Sequence, residues 1–438
     1  SRNSNFTLVF ILTTILLDMV GLGIILPVLP DLIREVGHED VARSAVIGGY
    51  LLFVYALMQF TFSPILGNLS DRYGRRPVLL LSLLGLTADY LIMGFAPTLV
   101  WLFVGRTLSG ISGAAVSTAT AYIADITPRE KRSQRFGLIG AAYGLGFIIG
   151  PVIGGELGEI SPRAPFYAAA AIAFLNFLFG LIVLPESLTM RKRRRFDIKR
   201  ANPFGAIVAL RQFPAILWLL AVLFLFALAG QVLPSVWNFF TIEKLEWTSS
   251  QVGRSLGYFG VLFALSQAFL VGPIVKKIGE GWTLIVGMFA AICAFLGLTI
   301  IDTYVGLYVC LTIGAFSGIA APSISGLLSR RVPDNSQGEL QGAIHATNSL
   351  TAIIGPLAAT QLFSYFTVSD TAPFYFPAAP FLAAGISVTL AAAIFIPAAF
   401  RHHLFRKHAE GRVYETPPIA NPGEISHRPS ESKNEGDA

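Results

Sequence analysis

Three ionisable residues stand inside apolar sequence, where charge is hardest to keep. Asp18 sits in Leu16-Leu17-Asp18-Met19-Val20, Asp89 in Thr87-Ala88-Asp89-Tyr90, and Arg106 in Phe103-Val104-Gly105-Arg106. An ionised group at the centre of a bilayer costs about 2.5–3.5 kcal/mol on insertion scales, so it is either closely paired or kept for a task. Both readings stand. Asp18 and Arg106 can form a structural ion pair. Alternatively, a carboxylate withdrawn from water and tuned by Arg106 exchanges protons with the medium as its surroundings change. The proton-coupling candidates are therefore Asp18, Asp89 and Arg106.

A second set lies in a short polar segment, Gly67-Asn-Leu-Ser-Asp71-Arg72-Tyr-Gly74-Arg75-Arg76. Its glycines permit a tight turn and close helix approach, and its arginines cannot cross a membrane. Topology alone explains the arginines but not Asp71 or the glycine spacing, so a gate is the fuller reading. Asp71 is expected near a helix N-terminus of the second half, and Arg75 beside Asp125, in contacts that favour an outward-facing state and break on switching. Gly146-Phe-Ile-Ile-Gly150-Pro151-Val-Ile-Gly154-Gly155 adds a small-residue stripe with a proline that removes a backbone donor. The gating candidates are Gly67, Asp71, Arg72, Gly74, Arg75, Arg76, Asp125, Gly150 and Pro151.

Polar and aromatic residues are scattered through other apolar runs: Tyr55, Gln59, Gln231, Trp237, Phe259, Phe263, Gln267 and Asn348, with Asn238 and His345 nearby. Singly, each reads as a helix–helix hydrogen bond or a packed ring, and His345 as structural or solvated. Together, the first eight fit the wall of a substrate cavity. No metal site or cofactor is expected, because Cys293 and Cys310 are alone in apolar sequence. A Walker A sequence is absent, so ATP is not the energy source within this chain. Gly144-Leu-Gly146 follows no strand and is no dinucleotide loop. With no nucleophile–base pair in view, the chain is not expected to be an enzyme.

The elements that must position these residues are membrane helices. Of 438 residues, 54% are hydrophobic and only 13% charged, with mean hydropathy +0.64; a soluble domain carries about a quarter charged residues. Twelve apolar stretches are long enough to cross a bilayer as helices: 6–30, 46–66, 78–96, 99–123, 136–158, 165–184, 213–239, 252–275, 283–301, 304–328, 342–366 and 374–399. Lone strands would leave amides unsatisfied in hydrocarbon, and barrel strands would be shorter and alternating, so the fold class is all-α. The first run is too long for a cleavable signal, and the chain opens at Ser1, so an initiator methionine is expected to be removed or to lie upstream. Even-numbered connections hold nineteen Lys and Arg, odd-numbered ones only Arg34, Arg43, Arg163, Lys244 and Arg254. That asymmetry predicts cytoplasmic termini and accounts for the +6 net charge without nucleic acid. The expected organisation is a six-helix half over 1–184, a basic cytoplasmic linker over 185–212, a second half over 213–400 and a disordered cytoplasmic tail over 401–438.

The halves repeat at one shift of 205 residues. Gly67…Gly74 matches Gly272…Gly279, Ile149-Gly150-Pro151 matches Ile354-Gly355-Pro356, and Ser112-Gly113 matches Ser317-Gly318. Several matches at one offset argue for two parallel six-helix repeats. Asp18, Asp89 and Arg106 fall on Leu223, Ala294 and Leu311, so charge within the membrane belongs to the first half alone.

Taken together, these residues resemble the twelve-helix drug:proton antiporters of the major facilitator superfamily, and closely the tetracycline efflux class. The similarity rests on Leu17-Asp18-Met-Val-Gly21 with Pro27-Val-Leu-Pro30, Tyr55-Ala-Leu-Met-Gln59, Ser70-Asp71-Arg72-Tyr-Gly74-Arg75-Arg76-Pro77, Ala88-Asp89-Tyr90, Ala121-Tyr122-Ile123-Ala124-Asp125-Ile126, Gly230-Gln231-Val232, and Gln341-Gly342 through to Gly355-Pro356. It covers almost everything from the first span to the last. It implies alternating access in the inner membrane, export of a lipophilic small molecule against protons, and a monomer. It also maps the essential acids onto Asp18 and Asp89 and a helix-4 arginine onto Arg106. The sequence departs from the class at two positions, with Phe263 for a helix-8 histidine and Ala291 for a helix-9 aspartate. Export of a metabolite or siderophore, facilitation without protons, and a transporter-like sensor remain as alternatives.

Overall fold

The computed structural model describes residues 2–114, 116–127, 132–188, 190, 193, 217–332, 337–368, 372–401 and 404, with side chains at all of these except 2–7, 116, 132–137, 140, 143, 338 and 339. Most of the basic linker, with Arg191, Lys192 and 194–212, and nearly all of the tail after Arg401 lie outside the described residues.

Among the described residues every long element is a helix. The first half comprises α1 (Arg2–Ile25), α2 (Leu29–Gly37), α3 (Val41–Tyr73), α4 (Arg75–Gly94), α5 (Leu99–Gly113), α6 (Val116–Ile126), α7 (Arg132–Gly158) and α8 (Ala164–Val183). The second comprises α9 (Leu217–Gly230), α10 (Val232–Leu245), α11 (Ser249–Leu265), α12 (Val271–Ile300), α13 (Tyr304–Phe316), α14 (Ala320–Ser329), α15 (Gln337–Thr367) and α16 (Ala379–Arg401). Ten helical stretches are long and apolar enough to cross a bilayer, and Gly144–Gly158 is a shorter one. The stretch Ser249–Ile300 turns at Gly279 and supplies two crossings, so the traverses among the described residues number twelve.

Local chemistry sets the boundaries. The first span ends at Ile25 rather than 30, because Pro27 breaks it and Pro30 opens the first turn of the unforeseen α2. The second runs from 41 to 73 rather than 46 to 66. Asp40 caps its start by accepting the Arg43 N–H at 2.7 Å, and the helix continues through the polar motif until Gly74. Gly74 (φ 111°) and Gly279 (φ 83°) both take backbone that a side chain would strain, at positions 205 apart. The fourth span breaks after Ala114, and the tenth passes through a 3₁₀ turn at Ser317–Ile319, again 205 apart. The repeat is therefore visible in the backbone as well as in the residues. A π-helical segment, Ser266–Leu270, interrupts the eighth span.

The first half packs around Ile24, Tyr90, Met93 and Phe166, with a second cluster at Phe10, Tyr122 and Leu184. The second packs around Trp237, Phe240, Phe381 and Phe395. The outer surface is apolar: Ile182 is 85% exposed, Val305 72% and Phe289 66%. Such a surface needs lipid rather than water around it. The halves meet where small residues let backbones approach. A Cβ at Gly155 (α7) would meet Ser250 of α11 at 3.0 Å, and one at Gly49 (α3) would crowd Thr360 and Pro356 of α15.

Candidate functional site

The buried charges sit where α4 and α5 run antiparallel behind a four-residue connection. Arg106 Nη2 pairs with Asp89 Oδ2 at 3.4 Å, and both side chains are almost fully buried. The Arg106 Nε–H donates to the Met93 sulfur at 3.2 Å, and the guanidinium lies 5.8 Å from the Tyr55 ring centre. A Cβ on Gly105 would come within 2.8 Å of Asp89 Oδ1, so this glycine keeps room for the carboxylate. Arg106 thus pairs with Asp89, and the structural Asp18–Arg106 pair, one of the two readings open from sequence, is not formed. Adjacent spans place Asp89 and Arg106 face to face, whereas Asp18 sits on α1. Asp18 Oδ1 is shielded from solvent and has no hydrogen-bond partner. One turn on, Gly21 faces the Tyr90 hydroxyl, and Gly23 packs on Gly150 and Pro151.

The expected cavity residues divide into three groups. On α3, Gln59 Nε2 donates to the Tyr55 hydroxyl at 3.2 Å and to the Gly113 carbonyl at 3.4 Å, so Tyr55 and Gln59 adjoin the buried charge site. On α11, Phe259 and Phe263 pack in a tilted pair with centroids 5.6 Å apart, and Phe263 lies against Gly318 of the tenth span. Gln267 is exposed on the π-helical segment, Asn348 is exposed on α15, and Gln231 lies at the break between α9 and α10 against Gly355. Trp237 differs: it is buried among Phe240, Trp247 and Phe381 and donates to Ser255 Oγ at 2.8 Å. Its indole N–H finds its partner inside the second-half core, which is why a large amphipathic ring can sit there.

At the face that gathers the basic connections, the motif closes on itself. Arg75 pairs with Asp71 at 2.6 Å and with Asp125 at 3.2 Å, and donates to Ser70 Oγ at 2.6 Å. The Arg75–Asp125 contact matches the sequence expectation, while the Asp71 ion pair is with Arg75, within the first half. Ser70 donates to the Gly67 carbonyl, and Arg72 lies over the Tyr73 ring. Sequence reasoning misses one participant. Glu186 accepts the backbone N–H groups of Arg75 (2.9 Å) and Arg76 (3.3 Å), so a carboxylate from the linker's first residues caps α4 where Gly74 offers no side chain. Tyr122 donates to the Pro185 carbonyl, Ser187 to Asp125, and Arg76 to the Leu181 carbonyl. The available signal was an acid directly after the sixth span, opposite an arginine motif.

The second half carries the counterpart with its charges exchanged. Glu280 pairs with Arg330 at 3.1 Å, and these positions are 205 residues beyond Arg75 and Asp125.

At the opposite face an ion pair and several hydrogen bonds cross between the halves, beside pairs that stay within one half such as Arg163–Glu35 and Lys244–Asp302. Glu156 (α7) accepts from Arg254 Nε and Ser250 Oγ of α11, both at 2.8 Å, and Glu159 accepts the Ser250 backbone N–H at 3.1 Å. Asp31 accepts from Ser249 Oγ at 2.7 Å, and Asn238 donates to the Leu26 carbonyl at 2.7 Å. A depression of about 560 Å³ lies here, lined by Asp31, Arg34, Glu159, Glu243, Glu246 and Trp247, and holds none of the expected cavity residues. Beside it Tyr375 donates to Glu243 at 3.0 Å; burial first, then that acceptor, push the Tyr375 hydroxyl up to about 12.

Comparison with known proteins agrees with this architecture. The model of the family described as Major Facilitator Superfamily matches residues 11–356. "Tetracycline resistance protein, class C" of Escherichia coli is 44% identical over 361 residues, covering 82% of this chain and 90% of that protein. The class E protein of the same species is 42% identical over 362 residues, covering 82% and 88%. Among solved structures, a bacterial homologue of the human lysosomal transporter Spinster, captured inward-facing and unoccupied, superimposes with TM-score 0.73 at 16% identity, covering 93% of this chain and 99% of that one.

Proposed function

The chain belongs to the Major Facilitator Superfamily, and on that premise we propose that it is a secondary active transporter exporting amphipathic small molecules, tetracycline-like drugs foremost, in exchange for protons by alternating access. The observation that carries this reading is the buried Asp89–Arg106 pair with the unpartnered Asp18 carboxylate oxygen, a charge site inside a bundle that otherwise excludes charge. Relatives named for tetracycline resistance at 44% and 42% identity support the substrate class.

In this reading the basic face is cytoplasmic, both termini are inside, and the protein lies in the bacterial inner membrane as a monomer. Residues 1–184 and 213–400 are the two rocking halves, 185–212 the cytoplasmic strap and 401–438 a tail. In this reading the cross-half contacts close the outer side and must break for that side to open. A lipophilic drug enters between Tyr55 and Gln59 on one wall and Phe259, Phe263, Gln231, Gln267 and Asn348 on the other. Proton arrival at Asp18 and Asp89 changes the charge of the site and biases the two halves between their arrangements. The motif with Gly67, Asp71, Arg72, Gly74, Arg75, Arg76 and Asp125 sets the resting position of the inner gate. Gly150 and Pro151 let α7 hug α1 as the halves move.

The test is drug susceptibility of cells expressing the protein. Wild type should raise the tetracycline concentration the cells tolerate, and Asp18→Asn, present in the membrane at equal amount, should not. Equal susceptibility with and without wild type would remove the reading.

A further inference from the structure

We propose that the Tyr90 hydroxyl relays protons between Asp18 and Asp89, as a third chemical participant in the buried charge site. The inference rests on the transport reading above and deepens it.

Four oxygens in this site are buried with no hydrogen-bond partner within 3.5 Å: Asp18 Oδ1, Asp89 Oδ1, the Tyr90 hydroxyl and Ser109 Oγ, the last beside Asp89. A buried hydroxyl without a partner is expensive, and native structures rarely keep one without a use. Tyr90 is 1% exposed, so bulk solvent does not reach it. Its ring lies in the first-half core with Ile24, Met93 and Phe166, which fixes the hydroxyl's position. The hydroxyl touches α1 at Gly21, where an added methyl would collide with it, and Gly21 follows Asp18 by three residues on the same helix face. Asp89 precedes Tyr90 in α4. The charged and titratable groups close enough to act electrostatically on Tyr90 are Asp18 from α1, Tyr55 from α3, Asp89 from its own helix and Arg106 from α5. Asp18 and Asp89 sit on different helices, and the hydroxyl is the group held between those helices.

A phenol suits a relay because it donates and accepts through one atom. With Asp18 protonated, its O–H passes a proton to the Tyr90 oxygen while the Tyr90 O–H passes its own to Asp89. Asp18 becomes a carboxylate, Asp89 becomes a neutral acid, and the tyrosine is regenerated with its hydrogen rotated. No charge is created on the phenol. Neutral Asp89 no longer holds Arg106 as an ion pair, so arrival of the proton is read by the arginine that also faces Tyr55. The unpartnered hydroxyl is the relay between transfers, with both acceptors turned away.

The experiment is Tyr90→Phe, which removes one oxygen and keeps the ring. Purified wild type, Tyr90→Phe and Asp18→Asn are placed in liposomes with tetracycline as probe. Two modes are measured: uptake driven by an imposed pH gradient, across a pH series, and tracer counterflow with no gradient. Tyr90→Phe should lower gradient-driven uptake by about ten- to a hundredfold, flatten its pH profile and leave counterflow near wild type. Its melting temperature should be unchanged or higher, since the lost hydroxyl has no partner; a structural hydroxyl would instead lower it. Gradient-driven uptake by Tyr90→Phe with a wild-type rate and pH profile overturns the relay while Asp18→Asn remains impaired. If wild type itself shows no gradient-driven uptake, the transport reading fails, and the relay with it.

Discussion

At the basic face the two halves carry one ion pair in two polarities. Arg75–Asp125 spans 3.2 Å in the first half and Glu280–Arg330 spans 3.1 Å in the second, at equivalent repeat positions. The inversion extends to Asp71, whose counterpart is Lys276. Within the membrane the halves part company. Asp18, Asp89 and Arg106 correspond to Leu223, Ala294 and Leu311, all buried and apolar. The second half is thus an internal control. Both halves keep a paired charge beneath the motif glycine, whereas the second half packs apolar residues where the first half has Asp18, Asp89 and Arg106. Charge kept in the first half alone carries a desolvation cost that the second half avoids, which is why the proposed coupling role is tested there.

The largest effect should come from giving the first half the second half's residues. Asp89→Ala with Arg106→Leu should abolish transport of a drug probe in proteoliposomes while the protein still folds with wild-type or higher melting temperature, because a buried pair replaced by apolar groups is often neutral or stabilising. Asp89→Ala alone should be worse for folding. It leaves Arg106 buried without its counter-charge, a loss of about 3–5 kcal/mol, seen as a lower melting temperature in detergent. Transport by the double variant would break the comparison, since charge in the membrane would then be dispensable in both halves.

The next effect tests the polarity itself. Arg75→Glu places a carboxylate between Asp71 and Asp125 and removes the donor to Ser70, a loss of about 1.5–3 kcal/mol for charged hydrogen bonds, measurable as a lower melting temperature and reduced transport. Adding Asp71→Lys and Asp125→Arg reproduces the second half's arrangement and should recover most of both. Failure of the triple variant would show that the first half needs its own polarity, for instance because Glu186 from the linker caps α4 beside it.

These pairs also show where sequence reasoning reaches. The repeat could be read because one offset aligned Gly74 with Gly279 and Pro151 with Pro356, and the backbone carries the same symmetry. Arg75 with Asp125 could be read because both stand at helix ends on one side of the membrane, Arg75 at the start of α4 and Asp125 at the end of α6. Arg106's partner could not, because Asp18 and Asp89 are equivalent as composition and only the antiparallel contact of α4 and α5 chooses between them. Trp237 reads as a cavity ring because its pattern fits one; its burial depends on Trp247 from the connection after α10, Phe381 from α16 and Ser255 from α11, which are distant in sequence or lie outside its helix. Glu186 was hidden among basic neighbours whose charge dominated the segment.

The outer face should give the smallest effect, for a physical reason. Glu156 and Arg254 join the halves at 2.8 Å, but their side chains are 47% and 64% exposed. Water and salt screen such pairs, and most contribute little. Glu156→Gln should therefore leave expression and folding unchanged and shift the balance towards outer opening by a factor of about two to five, the scale of an exposed pair. Double electron–electron resonance between spin labels on the outer ends of α7 and α11 would register this as a longer-distance population. Raising the salt concentration should move wild type the same way and leave Glu156→Gln nearly still, because the variant has already lost what salt screens. An equal response to salt in both would mean that the outer closure rests on the packed glycines Gly155 and Gly253 and on Asn238, and that ionic contacts between halves are incidental at this face.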